Sequence, residues 1–240
     1  LPITEIWVYL SGSPLLALVL TLSAYFIGTT VYQKSNRSSL ANPVLIAVVL
    51  VAGVIQLIDM PYKTYFEGAQ FVHFLLGTAT VSLAIPIYKA IDTLRARVWI
   101  LLPGLLIGSA TSIVSAVGLA HVLKLDSALE GGLYAKSVTA PIAMGIAERL
   151  HASPTLTAIF AVLTGILGAI LGRYVLDALK IKAWWQRGFA LGLAAHGIAT
   201  SRAFSINAEA GTYASLAMGL NGVMSAALIP ALVLPLLTGS

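Results

Sequence analysis

Long stretches of this sequence contain no charged side chain, and this feature constrains the fold more than any other. Runs without Asp, Glu, Lys or Arg lie at residues 6–33, 38–58, 74–88, 98–120, 154–172 and 210–240. A helix rises about 1.5 Å per residue and needs about 20 apolar residues to cross a hydrocarbon core that is roughly 30 Å thick. Most of these runs are therefore long enough to cross a membrane.

The composition is that of a membrane protein. Hydrophobic residues make up 58% of the chain and charged residues only 10%, whereas a soluble domain carries about 25% charged residues. The apolar runs are continuous and lack the alternating pattern of a membrane β-barrel. We predict an all-α, polytopic transmembrane helix bundle with about seven or eight hydrophobic segments, some of them interrupted, in a single transmembrane domain over residues 1–240.

The basic residues orient the predicted helices. Cytoplasmic loops of membrane proteins are enriched in Lys and Arg, so the three most basic connections are predicted to be cytoplasmic and the N-terminus to be outside. This use of the cations also accounts for the net charge of +5, and we expect a lipid bilayer rather than nucleic acid around the chain. The basic connections contain Lys34 and Arg37; Lys89, Arg95 and Arg97; and Arg173, Lys180, Lys182 and Arg187.

A count of membrane crossings identifies one irregular segment. Between the second and third basic connections lie three hydrophobic segments, 98–123, 131–151 and 154–172. Three full crossings would place the third basic connection on the wrong side, so either one basic connection breaks the rule or one segment enters and leaves on the same face. The segment 131–151 contains Lys136 and Pro141, and we predict that it enters and leaves on the same face. Non-helical backbone at membrane depth is tolerated where it lines protein or a water-filled cavity, so this segment is predicted to line a cavity.

Two further segments have irregular features. The segment 188–206 carries His196 and Arg202 in an apolar window, and a break is predicted in its small-residue run 197–201. The segment 74–88 is short and contains a glycine and a proline. Interrupted helices in corresponding places mark the substrate sites of many secondary transporters.

A possible internal repeat relates two parts of the chain. At an offset of 57 residues, the pattern Leu-xxx-Thr-Val-Ser at 76–82 aligns with Leu-xxx-Ser-Val-Thr at 133–139. Thr80 and Ser82 would then form a second arm of the site. The repeat-related arms would cover residues 69–123 and 131–178.

The cations on the irregular segments are candidate ligand-binding groups. A charged residue at bilayer depth costs about 2.5–3.5 kcal/mol on insertion scales, so it normally faces the bundle interior. Lys136 is alternatively a lysine near the interface or a structural ion-pair partner, and Arg202 alternatively pairs with Glu209. No acidic residue lies within four positions of either cation, so neither has a local helical ion-pair partner. An anion would complement both.

We therefore predict one central site for a small monocarboxylate. An arginine fork grips a carboxylate at two points, a lysine adds a point charge, and hydroxyls bind a neighbouring hydroxy or keto group. A histidine titrates near neutral pH and is a candidate carrier of a coupled proton, although a lone buried histidine is more often a satisfied core residue. The predicted site comprises Lys136, Ser137, Thr139, His196, Thr200 and Arg202.

The sequence predicts no enzyme. It contains no HExxH, GxxxxGK[ST] or GxSxG motif, and its four histidines are widely separated. The side chains of Lys136 and Ser137 diverge on a regular helix or strand, because the two residues are adjacent. There is no cysteine, which excludes thiolate metal sites. We expect no catalytic residue, no metal and no cofactor.

Several blocks in the chain resemble the LrgB/CidB family. A looser likeness extends through NPVLIAVVL (42–50) and LAIPIYKAI (83–91). The main blocks follow one another in order through the C-terminal half: KSVTAPIAM (136–144), TGILGAILG (164–172), GFALGLAAHGIATSRA (188–203) and EAGTYASLAM (209–218).

The resemblance implies a multi-pass protein of the bacterial inner membrane, with one of two roles. Some family members are similar to carriers of glycolate, glycerate or pyruvate, and others are described as holin-like or antiholin-like regulators of murein hydrolase activity and cell lysis. We take the carrier as the main hypothesis and the regulator as the alternative. The expected partners are a small organic anion, a small companion membrane protein of the LrgA/CidA type and further copies of this chain.

Overall fold

Helix is the only regular secondary structure in the described part of the protein, as predicted. A computed structural model describes the backbone of residues 14–238, and the side chains of that range except those at positions 14, 73, 76, 77, 79, 80 and 236–238. Its contacts divide the chain into two compact units, with the boundary between Leu83 and Ala84. Each unit is described separately.

The first unit contains three helices: α1 (Pro14–Lys34), α2 (Pro43–Leu57) and α3 (Tyr62–Ser82). Helix α2 begins at Asn42, whose side-chain oxygen accepts hydrogen bonds from two backbone N–H groups of the first turn. The hydroxyls of Thr21 and Tyr65 lie 2.7 Å apart and join α1 to α3. Helix α2 has 15 residues, fewer than the roughly 20 that a perpendicular membrane crossing needs.

The second unit contains two reversals of the chain. We call residues 127–149 hairpin 1 and residues 184–206 hairpin 2. The helices of this unit are α4 (Ala84–Lys89), α5 (Ile91–Ala96), α6 (Val98–Val122), α7 (Ser127–Leu133), α8 (Ala140–Arg149), α9 (Pro154–Ala178), α10 (Trp184–Ile206) and α11 (Ala208–Thr238).

Hairpin 1 consists of α7, a non-helical tip at residues 134–139, and α8. A Cβ atom at Gly131 in its first limb would lie 3.0 Å from the Cβ atom of Ala152, just after its second limb. These residues are 21 positions apart and would be separated by about 32 Å in a straight helix. The segment therefore returns to the end from which it started, as the crossing count predicts.

Hairpin 2 is formed by α10, which is interrupted in its middle. Ala195 has φ −139° and ψ 22°, and His196 has φ 40° and ψ −134°, so both residues are outside helical geometry. The break lies at residues 195 and 196, just before the small-residue run 197–201 in which it was predicted. Residue 196 is thus the tip of hairpin 2.

Contacts with α11 show that hairpin 2 reverses direction at this break. Gly188 on the first limb lies against the backbone of Ala210, and Phe204 on the second limb lies against Gly211. Residues 188 and 204 would be about 24 Å apart in a straight helix, yet both contact the same turn of α11. The two limbs therefore run in opposite directions beside one helix.

The two hairpins start from opposite ends of α6. His121 at the end of α6 lies 3.9 Å from Glu130 in hairpin 1. Arg97, directly before α6, lies 4.9 Å from the ring centre of Trp185 at the base of hairpin 2. Helix α6 has 25 residues and spans about 37 Å. The tips of the hairpins point toward each other at its middle.

The structure confirms long apolar helices but not the predicted number of membrane segments. Four helices in the described residues are long and apolar enough to cross a membrane; the predicted seven or eight segments are not confirmed. Two of the predicted segments are hairpins of short limbs, and α2 is short. The repeat stays a prediction, and the side chain of Thr80 lies outside the described residues. The four helices are Leu15–Lys34, Val98–Val122, Pro154–Ala178 and Ala208–Pro235.

The hairpin arrangement predicts which connections share a membrane face. Helix α9 leads from the base of hairpin 1 to that of hairpin 2, so positions 126 and 182 should lie on opposite faces. In this cysteine-free chain, Asp126→Cys should react with an impermeant maleimide on intact cells, and Lys182→Cys only after permeabilisation. We expect Asn36→Cys to behave like Lys182→Cys. Labelling of 126 and 182 from one face would contradict the hairpins, and labelling of 36 and 182 from opposite faces would contradict the basic-loop assignment.

Candidate functional site

The tips of the two hairpins meet at the side chain of Asn221 in the middle of α11. Its amide nitrogen donates to the carbonyl oxygen of Ser137 at 3.1 Å and to that of Leu193 at 3.2 Å. Ser137 belongs to the tip of hairpin 1, and Leu193 lies two residues before the break in hairpin 2. Asn221 is only 2% exposed. One buried amide therefore joins the two interrupted segments.

Lys136 lies at this meeting point with hydroxyl partners. Its ammonium group donates to Ser112 Oγ at 2.9 Å and to Ser137 Oγ at 3.0 Å, and the two hydroxyls lie 2.8 Å from each other. Ser112 is on α6, while Lys136 and Ser137 belong to hairpin 1. Lys136 thereby connects the tip of hairpin 1 to α6. Its ammonium group is partly buried, and the two hydroxyl groups that it binds are neutral.

His196 occupies the tip of hairpin 2 and is bound to α9. Its Nε2 atom lies 2.8 Å from the carbonyl oxygen of Ala161, and the residue is 4% exposed. A carbonyl oxygen can only accept, so Nε2 carries a hydrogen and a neutral ring leaves Nδ1 as an acceptor. A Cβ atom at Gly165 would lie 2.9 Å from the ring, so a glycine there leaves room for the imidazole.

The other predicted site residues are distributed along the two hairpins. Thr139 ends the tip of hairpin 1 and precedes α8 without a side-chain capping bond. The Thr200 hydroxyl donates to the carbonyl oxygen of His196 at 2.7 Å, one turn behind the tip. Arg202 is partly buried on the second limb, about 9 Å from the tip by helical rise. Ser82 lies in the first unit, at the end of α3.

The structure brings some predicted residues together and adds two. Lys136 and Ser137 share a hydrogen-bonded cluster, and Asn221 connects this cluster to the hairpin that carries His196. Sequence analysis missed Asn221 and Ser112. The amide of Asn221 is a polar group in the middle of the apolar run 210–240, which is the signal that could have identified it, because such groups in membrane helices bind other helices. Ser112 gave no signal, since serines are common at packed helix faces.

A separate cluster fixes the base of hairpin 2. The Arg97 guanidinium donates to the Tyr213 hydroxyl at 2.7 Å and lies 3.4 Å from a Glu209 carboxylate oxygen. The Tyr213 ring contacts the Trp185 ring, with the ring centres 6.0 Å apart. Glu209, which we had considered as a partner for Arg202, is thus paired with Arg97. This cluster lies at a helix end, away from the tips.

The site offers polar groups of several kinds at the middle of the helices. It contains an ammonium group, hydroxyls, a buried amide and an imidazole, and the buried neighbours of these groups along the hairpins include Ala135, Val138 and Ala195. In the part of the chain that the structure describes, no three His, Cys, Asp or Glu side chains are close enough to hold a metal ion. Such groups suit a small polar or anionic molecule.

Fold and site together define a multi-pass membrane protein in which two interrupted segments meet at a polar centre. The chain belongs to the LrgB-like family, whose model matches residues 21–234. This agrees with the family resemblance of the sequence blocks.

The sequences of several bacterial relatives align with nearly the whole chain. The chain is 33% identical to the uncharacterized protein YwbG of Bacillus subtilis, over 90% of this chain and 96% of the relative. It is 28% identical to an antiholin-like protein LrgB of Bacillus mycoides and to one of Bacillus cereus, in each case over 91% of this chain and 95% of the relative. No solved structure matches the chain.

Proposed function

We propose that this protein is a membrane carrier for small monocarboxylates such as glycolate, glycerate or pyruvate. One observation supports it above the others: two chain reversals that start from opposite ends of α6 meet beside a partly buried lysine. Interrupted segments that meet at mid-depth are the usual substrate sites of secondary transporters. A continuous water-filled pore would instead need polar side chains along the whole length of its helices.

The charge at the site favours an anionic substrate. The ammonium group of Lys136 binds two neutral hydroxyls. A partly buried cation with neutral partners is stabilised further by a bound anion, since a charge in low dielectric needs a partner. The acidic side chains that form ion pairs in the second unit lie near helix ends and pair with other cations: Asp92 with Arg95, Asp177 with Arg173 and Arg187, and Glu209 with Arg97. Glu130 lies beside His121.

The backbone at the tips adds to this preference. Helix α8 starts directly after the tip of hairpin 1, and its first N–H groups receive no side-chain cap from Thr139. The second limb of hairpin 2 likewise begins at the break near His196. Helix N-termini carry partial positive charge and favour carboxylates. Ser137, Thr139 and Thr200 would bind a hydroxy or keto group, Arg202 would supply the second cation, and His196 would carry a coupled proton.

The names of the relatives favour a second candidate function. Two of them are named antiholin-like proteins, and the chain covers 95% of their length. On this alternative, the protein regulates murein hydrolase activity and cell lysis from the membrane without an enzymatic step of its own. The relatives' names support this candidate more directly than they support a carrier. The geometry of the hairpin tips favours the carrier.

The proposed setting is the bacterial inner membrane. The proposed partners are further copies of this chain and a small companion membrane protein of the LrgA/CidA type; membership of the LrgB-like family supports the second. The complete topology would comprise seven or eight hydrophobic segments, with the hairpins counted among them. Arms of an internal repeat would supply Thr80 and Ser82 as additional polar groups.

Uptake into liposomes distinguishes the candidates. Purified protein in sealed liposomes should take up labelled glycolate, glycerate or pyruvate, with a rate that saturates as the acid concentration rises. Unlabelled acid on the outside should compete, and liposomes without protein are the control. Release of trapped dyes of unrelated size and charge would indicate a pore instead.

The regulator is tested separately in cells. Expression of the chain should change the rate of autolysis if it acts as an antiholin-like regulator. We expect Lys136→Met to reduce uptake strongly, and with it any effect on lysis that depends on transport. Absence of saturable uptake, together with an autolysis effect that survives Lys136→Met, would contradict the carrier and support the regulator.

A further inference from the structure

We propose that Asn221 is a positioning residue that holds the two hairpin tips together and so sets the shape of the substrate site. The inference rests on the proposed carrier function for its effect on uptake. Its structural basis is the Asn221 side chain, which is hydrogen-bonded to two residues that are distant in the sequence. Ser137 lies 84 positions before Asn221, and Leu193 lies 28 positions before it.

Each carbonyl that Asn221 binds has lost its usual helical donor. In a helix, a carbonyl oxygen accepts from the N–H group four residues later. For Ser137 that residue is Pro141, which has no N–H group. For Leu193 it is Gly197, which lies beyond the break at 195–196. Both interruptions therefore leave a carbonyl oxygen that needs a donor from elsewhere.

The asparagine amide matches this need. An amide nitrogen carries two hydrogens, one for each carbonyl oxygen. The Ser225 hydroxyl lies 3.4 Å from Asn221 Oδ1, which directs the amide nitrogen toward the tips. Leucine has a similar size but no donor, and glutamine is one methylene longer in a site that is only 2% exposed. Asparagine satisfies both tips from one position on α11.

The consequence is that the two tips depend on one another. Ser137 is hydrogen-bonded to Lys136, and Leu193 lies three residues before His196. Without the amide, the carbonyl oxygens of Ser137 and Leu193 remain buried but lose this hydrogen-bond donor. Because a buried acceptor without a donor is unfavourable, conformations in which the two tips move away from α11 become more populated. Lys136 and His196 would then lose their common alignment. We therefore expect poorer substrate binding as well as a looser structure at both tips.

Thiol labelling at the two tips tests this directly in the cysteine-free chain. Ser137→Cys reports on hairpin 1 and Thr200→Cys on hairpin 2; both positions are buried. Addition of Asn221→Leu should raise the reaction rate of each cysteine with a small methanethiosulfonate reagent about tenfold, which corresponds to about 1.4 kcal/mol. In the chain without reporters, Asn221→Leu should raise the KM for the acid by a similar factor.

Ser215→Ala is the matched control. Ser215 is also buried on α11, but its hydroxyl donates to the carbonyl oxygen of Gly211 within the same helix. This variant should leave both labelling rates and KM unchanged. Asn221→Ser, which keeps a single donor, is measured alongside in case the leucine variant does not fold, and should act in the same direction.

The outcomes separate the two proposals. An unchanged labelling rate at either tip in Asn221→Leu and Asn221→Ser overturns the inference. Equal changes in the Ser215→Ala control overturn it as well, since they would reflect general loosening of α11. Labelling needs no transport, so wild-type protein without saturable uptake would refute the carrier while the labelling rates still decide the role of Asn221.

Discussion

Replacing Gly192 with alanine should prevent hairpin 2 from packing against α11. A Cβ atom at this position would overlap the carbonyl oxygen of Ala214, which is backbone and cannot rotate away. Overpacking of this kind costs about 1–3 kcal/mol and occasionally more. We expect a lower thermal unfolding midpoint in detergent and a smaller yield of monodisperse protein. Fluorescence-detected size exclusion after heating measures both.

Gly219→Ala is the matched control for this prediction. Gly219 lies on α11 itself, and a Cβ atom there would meet nothing within 4 Å. Alanine is favoured over glycine in a helix by about 1 kcal/mol, so this variant should be as stable as the parent or slightly more stable. Equal stability of Gly192→Ala and Gly219→Ala would show that hairpin 2 does not dock on α11 as described.

Lys136→Met should reduce uptake about 10- to 100-fold, measured as Vmax/KM for the labelled acid. A hydrogen bond to a charged group contributes about 1.5–3 kcal/mol, and each 1.4 kcal/mol changes an equilibrium constant tenfold. Methionine keeps most of the side-chain length and removes the charge. We expect the folded protein to persist, because a partly buried charge is costly in a membrane and its removal does not weaken packing.

Two further variants make this result specific. Lys182→Met removes a lysine from an exposed position between α9 and α10 and should leave uptake unchanged. Arg202→Lys keeps a charge but loses the planar fork that grips a carboxylate at two points, and should also lower uptake. Unchanged saturable uptake in both Lys136→Met and Arg202→Lys would assign the two cations a structural role.

Prediction from the sequence succeeded where one physical constraint dominated. The length of the apolar runs decided the class of protein, because only helices of that length satisfy their backbone in lipid. The crossing count identified 131–151 as a segment that returns, and Gly131 indeed lies against Ala152. The first conclusion follows from the free-energy cost of unpaired backbone groups in lipid, and the second from the preference of basic residues for one side of the membrane. Both can be judged from the order of residues in the sequence.

The position of the break in hairpin 2 could not be read in this way. A run of glycine and small residues at 197–201 permits an interruption anywhere along it. The structure places the break at residues 195 and 196, where His196 reaches the carbonyl oxygen of Ala161. Space beside Gly165 admits the ring. The location is thus decided by a neighbouring helix.

The sequence by itself determined that this protein is a helical membrane protein with two irregular segments that carry Lys136 and His196. Tertiary structure alone decided that these segments approach from opposite ends and that Asn221 and Ser112 join their meeting point. Local sequence sets the cost of breaking a helix, because a proline such as Pro141 lacks an N–H group. The donors that replace the lost hydrogen bonds come from distant positions, and only folding brings them there.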